Sequence, residues 1–334
     1  MKKIGVGIIG VGRIGRVHTE NIQRIPGANI VIAADPFAKQ NTDYTEKYGV
    51  PLVEDYREVI EHPEVEVVYI CSPTDTHGQY IKEVAQAGKH IFCEKPISAS
   101  DEETLEVYEE VKKAGVKFQL GVNRRFDRNF SQMKEYIEEG KIGDIHLLRI
   151  DSRDPEAPPF EYVKSSGGLF FDMMIHDFDM ARFLVGSEVD EVYAVGDALV
   201  NPDIKEIDVD TAIVTLKFKN GAMGVISNSR QAVYGYDQRA EVFGDKGAVE
   251  TSNELESQVK VSTTEGIQTE KPQYFFLERY ADAYKQESVE FFDAIINDTE
   301  PPVSFVDGIM AQRLAFAAKE SLEKQKPVKV NLPE

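Results

Sequence analysis

Gly10-Val11-Gly12-Arg13-Ile14-Gly15 follows the apolar run 4–9 and leads into a stretch of helical spacing, and no other feature restricts the fold as tightly. Glycines at that spacing allow a tight strand-to-helix turn, close backbone approach to a bound group, and close packing of helix on strand. The helix's first N–H groups then point at an anion. A lone match is weak, but Asp35 ends the next apolar run, 20 residues after Gly15, where a carboxylate can accept hydrogen bonds from a ribose diol. Gly10, Gly12, Arg13, Ile14 and Asp35 are therefore candidate contacts of a dinucleotide. A carboxylate there repels the extra phosphate of NADP, so NAD is expected, although Lys39, four residues on, offers a cation that could accommodate that phosphate.

From residue 4 to about 122, short β-branched runs alternate with amphipathic stretches, the pattern of a parallel sheet wrapped by helices. Strands are expected at 4–9, 29–34, 65–71, 90–93 and 117–122, with a shorter one at 51–53. Helices are expected at 14–25, 37–48, 56–62, 76–87 and 100–114, the last capped by Ser100 with acids in its first turn. Beyond Asn123 one helix, 127–139, precedes strand-like runs at 145–152, 191–200, 211–218, 221–230, 239–243 and 259–262, a mostly antiparallel pattern. Lys219-Asn220-Gly221 is a hairpin signal between two of them. Late helices are expected near 278–297 and 307–323. A chain of 334 residues exceeds what one core usually holds, roughly 250–300 residues, so two α/β domains are expected, 1–122 for the dinucleotide and 123–334 for the substrate.

The charge balance excludes some partners. With 38 basic and 58 acidic residues the net charge is −20, which repels nucleic acid phosphates and anionic membranes. Cys71 and Cys93 end apolar runs and lack the paired spacing of a zinc site, so both read as reduced core residues. The opening apolar stretch is interrupted by Gly5, Gly7, Gly10 and Gly12 and then by Arg13 and Arg16, unlike a signal peptide, and no segment offers 18 consecutive apolar residues. A cytoplasmic protein is expected.

Ligands of open α/β sheets bind outside the carboxyl ends of the strands, which adds Ser72, Thr74, Glu94 and Lys95 to the candidate cofactor contacts. His77, just inside the next helix, either faces the cofactor or serves at the helix start. Lys95 is a lone cation after an apolar strand, fixed by Pro96. In the second half, Gly167-Gly168 precedes a helical stretch in which Asp172, His176 and Asp179 recur at spacings of four and three, one stripe of two carboxylates and an imidazole. Oxidation of an alcohol requires removal of the hydroxyl proton as the hydride leaves, and an imidazole suits that near neutral pH. His176 is the expected base, Asp172 its supporting charge, and Lys95 a donor to the developing alkoxide. A metal held by Asp172, His176 and Asp179 is the competing reading, although further histidine ligands are lacking. No G-x-S-x-G nucleophile elbow occurs.

Together, the glycine turn, Ser72-Pro73 with His77, Glu94-Lys95-Pro96, and Gly167-Gly168 followed by Asp172 and His176 resemble the Gfo/Idh/MocA oxidoreductase family over nearly the whole chain. Within it, Asp172 to Arg182 is most similar to the inositol 2-dehydrogenases. The resemblance implies a Rossmann domain followed by an α/β domain with a large open sheet, through which four copies assemble. It implies NAD-dependent oxidation of myo-inositol to 2-keto-myo-inositol, with Lys95, Asp172 and His176 catalytic. Arg124, Asp154, Asp179 and a tyrosine, Tyr234 or Tyr236, would join them in holding substrate hydroxyls, and the Lys95–Pro96 peptide would be cis. Other members acting on another cyclitol or a sugar, or a non-catalytic regulator on the same fold, are the alternatives.

Overall fold

The computed structural model describes residues 3–331. Its first sheet is built from β1 (Ile4–Ile9), β2 (Ala28–Ala34), β3 (Leu52–Val53), β4 (Val67–Ile70), β5 (His90–Glu94) and β6 (Phe118–Gly121), with α1 (Arg13–Gln23), α2 (Thr42–Tyr48), α3 (Arg57–Glu61), α4 (Thr74–Gln86) and α5 (Asp101–Ala114) between them. All its pairings are parallel, in the order β3-β2-β1-β4-β5-β6, the doubly wound arrangement whose strand order reverses between β1 and β4. β1 is buried along its whole length, as a central strand covered on both faces must be.

The chain continues with α6 (Arg128–Glu138), β7 (Ile145–Arg153), α7 (Phe160–Ser165), α8 (Ile175–Val185), β8 (Val189–Asp197), β9 (Thr211–Phe218), β10 (Met223–Ser229), β11 (Asp237–Gly244) and β12 (Gly247–Thr251). A small hairpin, β13 (Lys260–Thr263) with β14 (Gly266–Thr269), and α9 (Phe276–Arg279) follow, then α10 (Ala281–Ile296), α11 (Phe305–Lys324) and β15 (Val328–Lys329). The second sheet runs β12-β11-β7-β10-β9-β8-β15, antiparallel except for β7 with β10. Leu148, Ile150, Val214, Leu216 and Ile226 point into its core, while Leu147, Val195, Ile213, Met223 and Phe243 alternate onto an exposed face.

Two helices differ from the sequence reading, the first for a local cause. The helix expected over 37–48 begins only at Thr42, because the Asp35 carboxylate accepts the Phe37 N–H and a series of turns then consumes the backbone groups up to Asn41. The late helix expected near 278–297 divides into α9 and α10.

The compact units also divide differently from 1–122 and 123–334. One takes the residues up to Phe126 together with Asp282–Ile309, and the other takes Asp127–Ala281 and the residues from Met310 on. Phe291 and Phe292 of α10 are buried in the same core as Ile8, Val67, Tyr69 and Phe92. Gln119 of β6 donates to the Glu287 carbonyl at 2.9 Å, and Gly308 lies where a Cβ would strike Ile97 and Leu120.

The same helix buries Glu287 completely, with neither carboxylate oxygen hydrogen-bonded. Glu94 and His18 lie beside it, the His18 Nε2 2.7 Å from Glu94 Oε1. That spacing is a hydrogen bond, shorter than the roughly 3.3 Å between neighbouring ligands of one tetrahedral ion with bonds of about 2.0–2.1 Å. Burial, and then the charge of Glu94, push the Glu287 carboxyl well above the ordinary range. A carboxyl raised on folding stabilises the fold fully below its unfolded value near 4.5, and that contribution fades as pH rises toward the folded value. Glu287→Gln removes this dependence, so its melting temperature gains on the wild type steadily from about pH 5 to about pH 8. Thermal melts across that range check it, and a difference that stays constant with pH would count against a neutral Glu287.

Candidate active site

In the first unit the carboxyl ends of the parallel strands bring Gly10, Asp35, Ser72, Lys95 and Arg124 to one edge of the sheet. Gly10 takes a positive φ of 93°, and a Cβ on it would fall 2.7 Å from the Cys71 carbonyl oxygen, so only glycine turns the chain here. At Gly15 a Cβ would sit 2.0 Å from the Gly10 carbonyl oxygen, so its hydrogen lets α1 lie against the turn. Gly12, the N-cap of α1, has open space where its Cβ would be. A pyrophosphate can therefore approach the backbone at Gly12, beside the first N–H groups of α1 with Arg13 and Ile14. Asp35 accepts the Val11 N–H on Oδ2 at 3.0 Å and the Phe37 N–H on Oδ1 at 2.9 Å, so this carboxylate braces the glycine turn. These residues fit a dinucleotide.

Across the sheet edge, Ser72 Oγ lies 2.6 Å from Thr76 Oγ1, and Thr74 opens α4. His77 departs from the cofactor role considered for it. It is buried, with Nδ1 2.7 Å from the Pro96 carbonyl oxygen and Nε2 2.9 Å from that of Ser72, so the ring sits between the loops after β4 and β5 and its N–H donates to one of the two carbonyls. The Lys95–Pro96 peptide is cis, as the resemblance implied. Glu94 faces inward to His18, which places the residue before Lys95 in the buried cluster under the sheet edge. His18 went unnoticed in the sequence, although Ile14, His18 and Ile22 recur at four-residue spacing on the apolar face of α1.

In the second unit, Phe170–Met174 is a π-helix that passes directly into α8. Such wide turns recur at functional sites. It follows Gly167-Gly168, both with positive φ, where a Cβ on Gly168 would clash with Asp208 at 2.7 Å. The Asp208 carboxylate accepts the Leu169 N–H at 3.0 Å, anchoring the segment that carries Asp172 and His176. Asp172 Oδ1 accepts from the Tyr162 hydroxyl at 3.0 Å, and its Oδ2 lies 2.9 Å from Arg230 Nη1. The same Nη1 reaches Asp154 Oδ2 at 3.5 Å. Asp172 and Asp154, proposed separately from the sequence, thus meet at Arg230, which that reading missed; a lone arginine after a strand carries no local signal. His176 is half-buried at the start of α8, and Asp179, one turn on, is fully buried.

The two candidate tyrosines differ. Tyr234 is exposed and donates to Asp237 Oδ2 at 2.6 Å, within a cluster with Arg153, Arg239 and Asn253. Burial alone would raise the Asp237 carboxyl, but the hydrogen bonds from Arg239, Tyr234 and Asn253 outweigh it and hold the group far below the carboxylate range. Tyr236 is buried against the rings of Phe275 and Tyr280.

A doubly wound sheet with this glycine cradle, joined to a unit presenting carboxylates and an imidazole, defines a nicotinamide-dependent oxidoreductase. Residues 4–122 match the family model for the NAD-binding Rossmann fold, and residues 134–330 match that for the C-terminal alpha/beta domain. The chain belongs to the Gfo/Idh/MocA oxidoreductase family, and its cofactor is NAD. It is 51% identical over 98% of its length to the uncharacterized oxidoreductase YrbE of Bacillus subtilis, covering 97% of that protein. It is 48% identical over 97% of its length to the myo-inositol 2-dehydrogenase of Thermotoga maritima, covering 98% of it. The crystal structure of scyllo-inositol dehydrogenase from Lactobacillus casei with bound NAD(H) and scyllo-inositol superimposes with a TM-score of 0.92 at 33% identity, over 98% of this chain and 99% of that one. Among the described residues, no helix is long and apolar enough to cross a membrane.

Asp35 is expected to set the choice between NAD and NADP. Asp35→Ser raises the NADP-to-NAD ratio of kcat/KM by about tenfold or more, since it removes the charge that repels a 2′-phosphate. Steady-state kinetics with both cofactors check it; an unchanged ratio would promote Lys39 in its place.

Proposed function

We propose that the protein oxidises one secondary hydroxyl of myo-inositol to give 2-keto-myo-inositol (scyllo-inosose). The observation that carries this reading is the end-to-end similarity to the Thermotoga maritima myo-inositol 2-dehydrogenase. NAD supplies the hydride acceptor, held by Gly10, Gly12, Arg13, Ile14, Asp35, Ser72, Thr74 and Lys95. His176 takes the hydroxyl proton, Asp172 stabilises the imidazolium that forms, and Lys95 donates to the oxygen as charge develops on it. A neutral polyol needs many directional hydrogen bonds, and the assigned residues offer donors from Lys95 and Arg124 and acceptors from Asp154, Asp172, His176 and Asp179. Tyr234 or Tyr236 completes the set; Tyr234, the more exposed of the two residues, is favoured.

The Lactobacillus casei structure supports a second reading, in which scyllo-inositol is the preferred isomer. NADH formation across myo-, scyllo- and D-chiro-inositol, glucose, xylose and sorbitol separates the two. Activity is expected with myo-inositol and is greatly weakened with sorbitol, because a missing hydroxyl leaves a desolvated polar group unpaired. Higher kcat/KM on scyllo-inositol corrects the isomer, and activity confined to an aldose removes the inositol assignment.

The assembly proposed is a homotetramer formed through the exposed face of the second sheet. Met223 and Phe243 both pair with Leu147, and Ile213 pairs with Val195, so these apolar side chains form two clusters on that face rather than single scattered positions. Sedimentation should give four times the chain's 37.5 kDa, and a monomer would refute it. The cytoplasm is the proposed setting, consistent with two buried free cysteines.

A further inference from the structure

Arg230 follows the last residue of β10, and its backbone is fixed on every side. Its N–H donates to the Asp210 carbonyl at 2.8 Å, the Asp154 N–H donates to the Ser229 carbonyl at 3.1 Å, and the Ala232 N–H donates to the Asp154 carbonyl at 2.7 Å. Arg230 is 5% exposed, and the guanidinium Nη1 is shared between Asp172 and Asp154. Its Nη2 is buried without a hydrogen-bond partner. A donor in that condition costs about 1–3 kcal/mol, so packing alone does not account for an arginine here.

The charges around it explain the choice. Asp172 is faced by Tyr162 from α7, Arg230 from the end of β10, and, through Arg230, Asp154 from the end of β7. Asp208, before β9, also interacts with Arg230 and with Lys319 of α11, and His176 follows Asp172 by four residues. Burial acts to lower the Arg230 pKa, but Asp172, Asp154 and Asp208 outweigh it and leave it raised. Asp208 moves the other way, raised chiefly by its burial. One guanidinium therefore sits among three carboxylates and makes its closest contacts with the two assigned to chemistry and substrate.

We propose that Arg230 is a positioning residue for the oxidation: it fixes the Asp172 and Asp154 carboxylates in one geometry and keeps both ionised, so that Asp172 can support the protonated form of His176. This rests on the proposed roles of Asp154, Asp172 and His176. Without the cation, two neighbouring, partly buried carboxylates repel, and one takes up a proton at a higher pH than before. Asp172 then loses the charge His176 depends on. The effect falls on catalysis rather than on cofactor binding, since the glycine cradle belongs to the other compact unit.

The test compares the wild-type enzyme with Arg230→Met and Arg230→Lys, measuring kcat and KM for the inositol, NAD affinity and melting temperature across about pH 6 to about pH 10. Arg230→Met is expected to lower kcat by about a hundredfold, leave NAD affinity unchanged, and move the acid limb of the kcat/KM profile upward by about one pH unit. Arg230→Lys keeps the charge but loses the fork, so its acid limb stays near that of the wild type while kcat falls by only about tenfold. A folded Arg230→Met enzyme with the wild-type acid limb overturns the proposal, whatever its kcat. If Arg230→Met does not fold, Arg230→Lys decides, and a displaced acid limb in that variant overturns it equally. Wild-type enzyme that forms no NADH from any polyol defeats the functional reading, whereas an active wild type matched by Arg230→Met defeats this inference alone.

Discussion

Lys95→Ala and His176→Ala are each expected to lower turnover by about a hundredfold or more while NAD still binds, the usual scale for a positioned acid, base or oxyanion donor. Single-turnover kinetics with the inositol and titration with NAD separate the two effects. Asp172→Asn should also be impaired, because it removes the negative charge between Tyr162 and Arg230. Near-wild-type turnover in the lysine or histidine variant, combined with loss of activity on chelation, would replace this scheme with a metal held by Asp172, His176 and Asp179.

The glycine turn supplies the second large effect, as a contrast between two methyl groups. Gly15→Ala puts a carbon 2.0 Å from a backbone oxygen, and a backbone cannot swing aside as a flexible side chain can. Overpacking of that kind costs about 1–3 kcal/mol or more, so both the melting temperature and NAD affinity should fall. Gly12→Ala meets nothing within 4 Å, and the Gly12 φ of −65° suits alanine. Its stability should change by no more than about 1 kcal/mol, yet NAD affinity should fall by tenfold or more, because the methyl occupies the space a pyrophosphate needs. Melting without cofactor and NAD titration test the pair. A Gly12→Ala protein that binds NAD normally would show that the cofactor does not approach this turn.

Much of this was legible from local pattern. The strand at 211–218 has the bounds of β9, and the glycine turn with Asp35 announced both the parallel sheet and its ligand, because each strand's period is written in adjacent residues. The glycines and Asp35 mark the cofactor edge through backbone requirements that few residues satisfy. Partnership between distant residues left no such mark. Nothing near Arg230 indicates that Asp154 and Asp172 lie on either side of its guanidinium. Nor does the amphipathic pattern of residues 281–296 say which core will receive Phe291 and Phe292. Periodicity identifies an apolar face without naming its destination. His77 shows the converse, since its place after a strand end suggested a ligand contact or a helix-start role, and no local pattern placed its buried ring between the carbonyls of Ser72 and Pro96.

The return of α10 to the first unit has a consequence for how the protein is made. The N-terminal six-stranded sheet is synthesised early, but the helix that contributes Phe291 and Phe292 to its core comes off the ribosome only after every strand of the second sheet except β15 has been translated. Until then the nascent sheet exposes the apolar surfaces of Tyr69 and Phe92 that this helix covers. Closing that loop is a long-range step, of the kind that slows folding and leaves apolar surface exposed to other chains. The cofactor-binding half is therefore not a separable cassette: a fragment ending at residue 122 would carry every glycine of the cradle and still lack one wall of the core that holds it in shape.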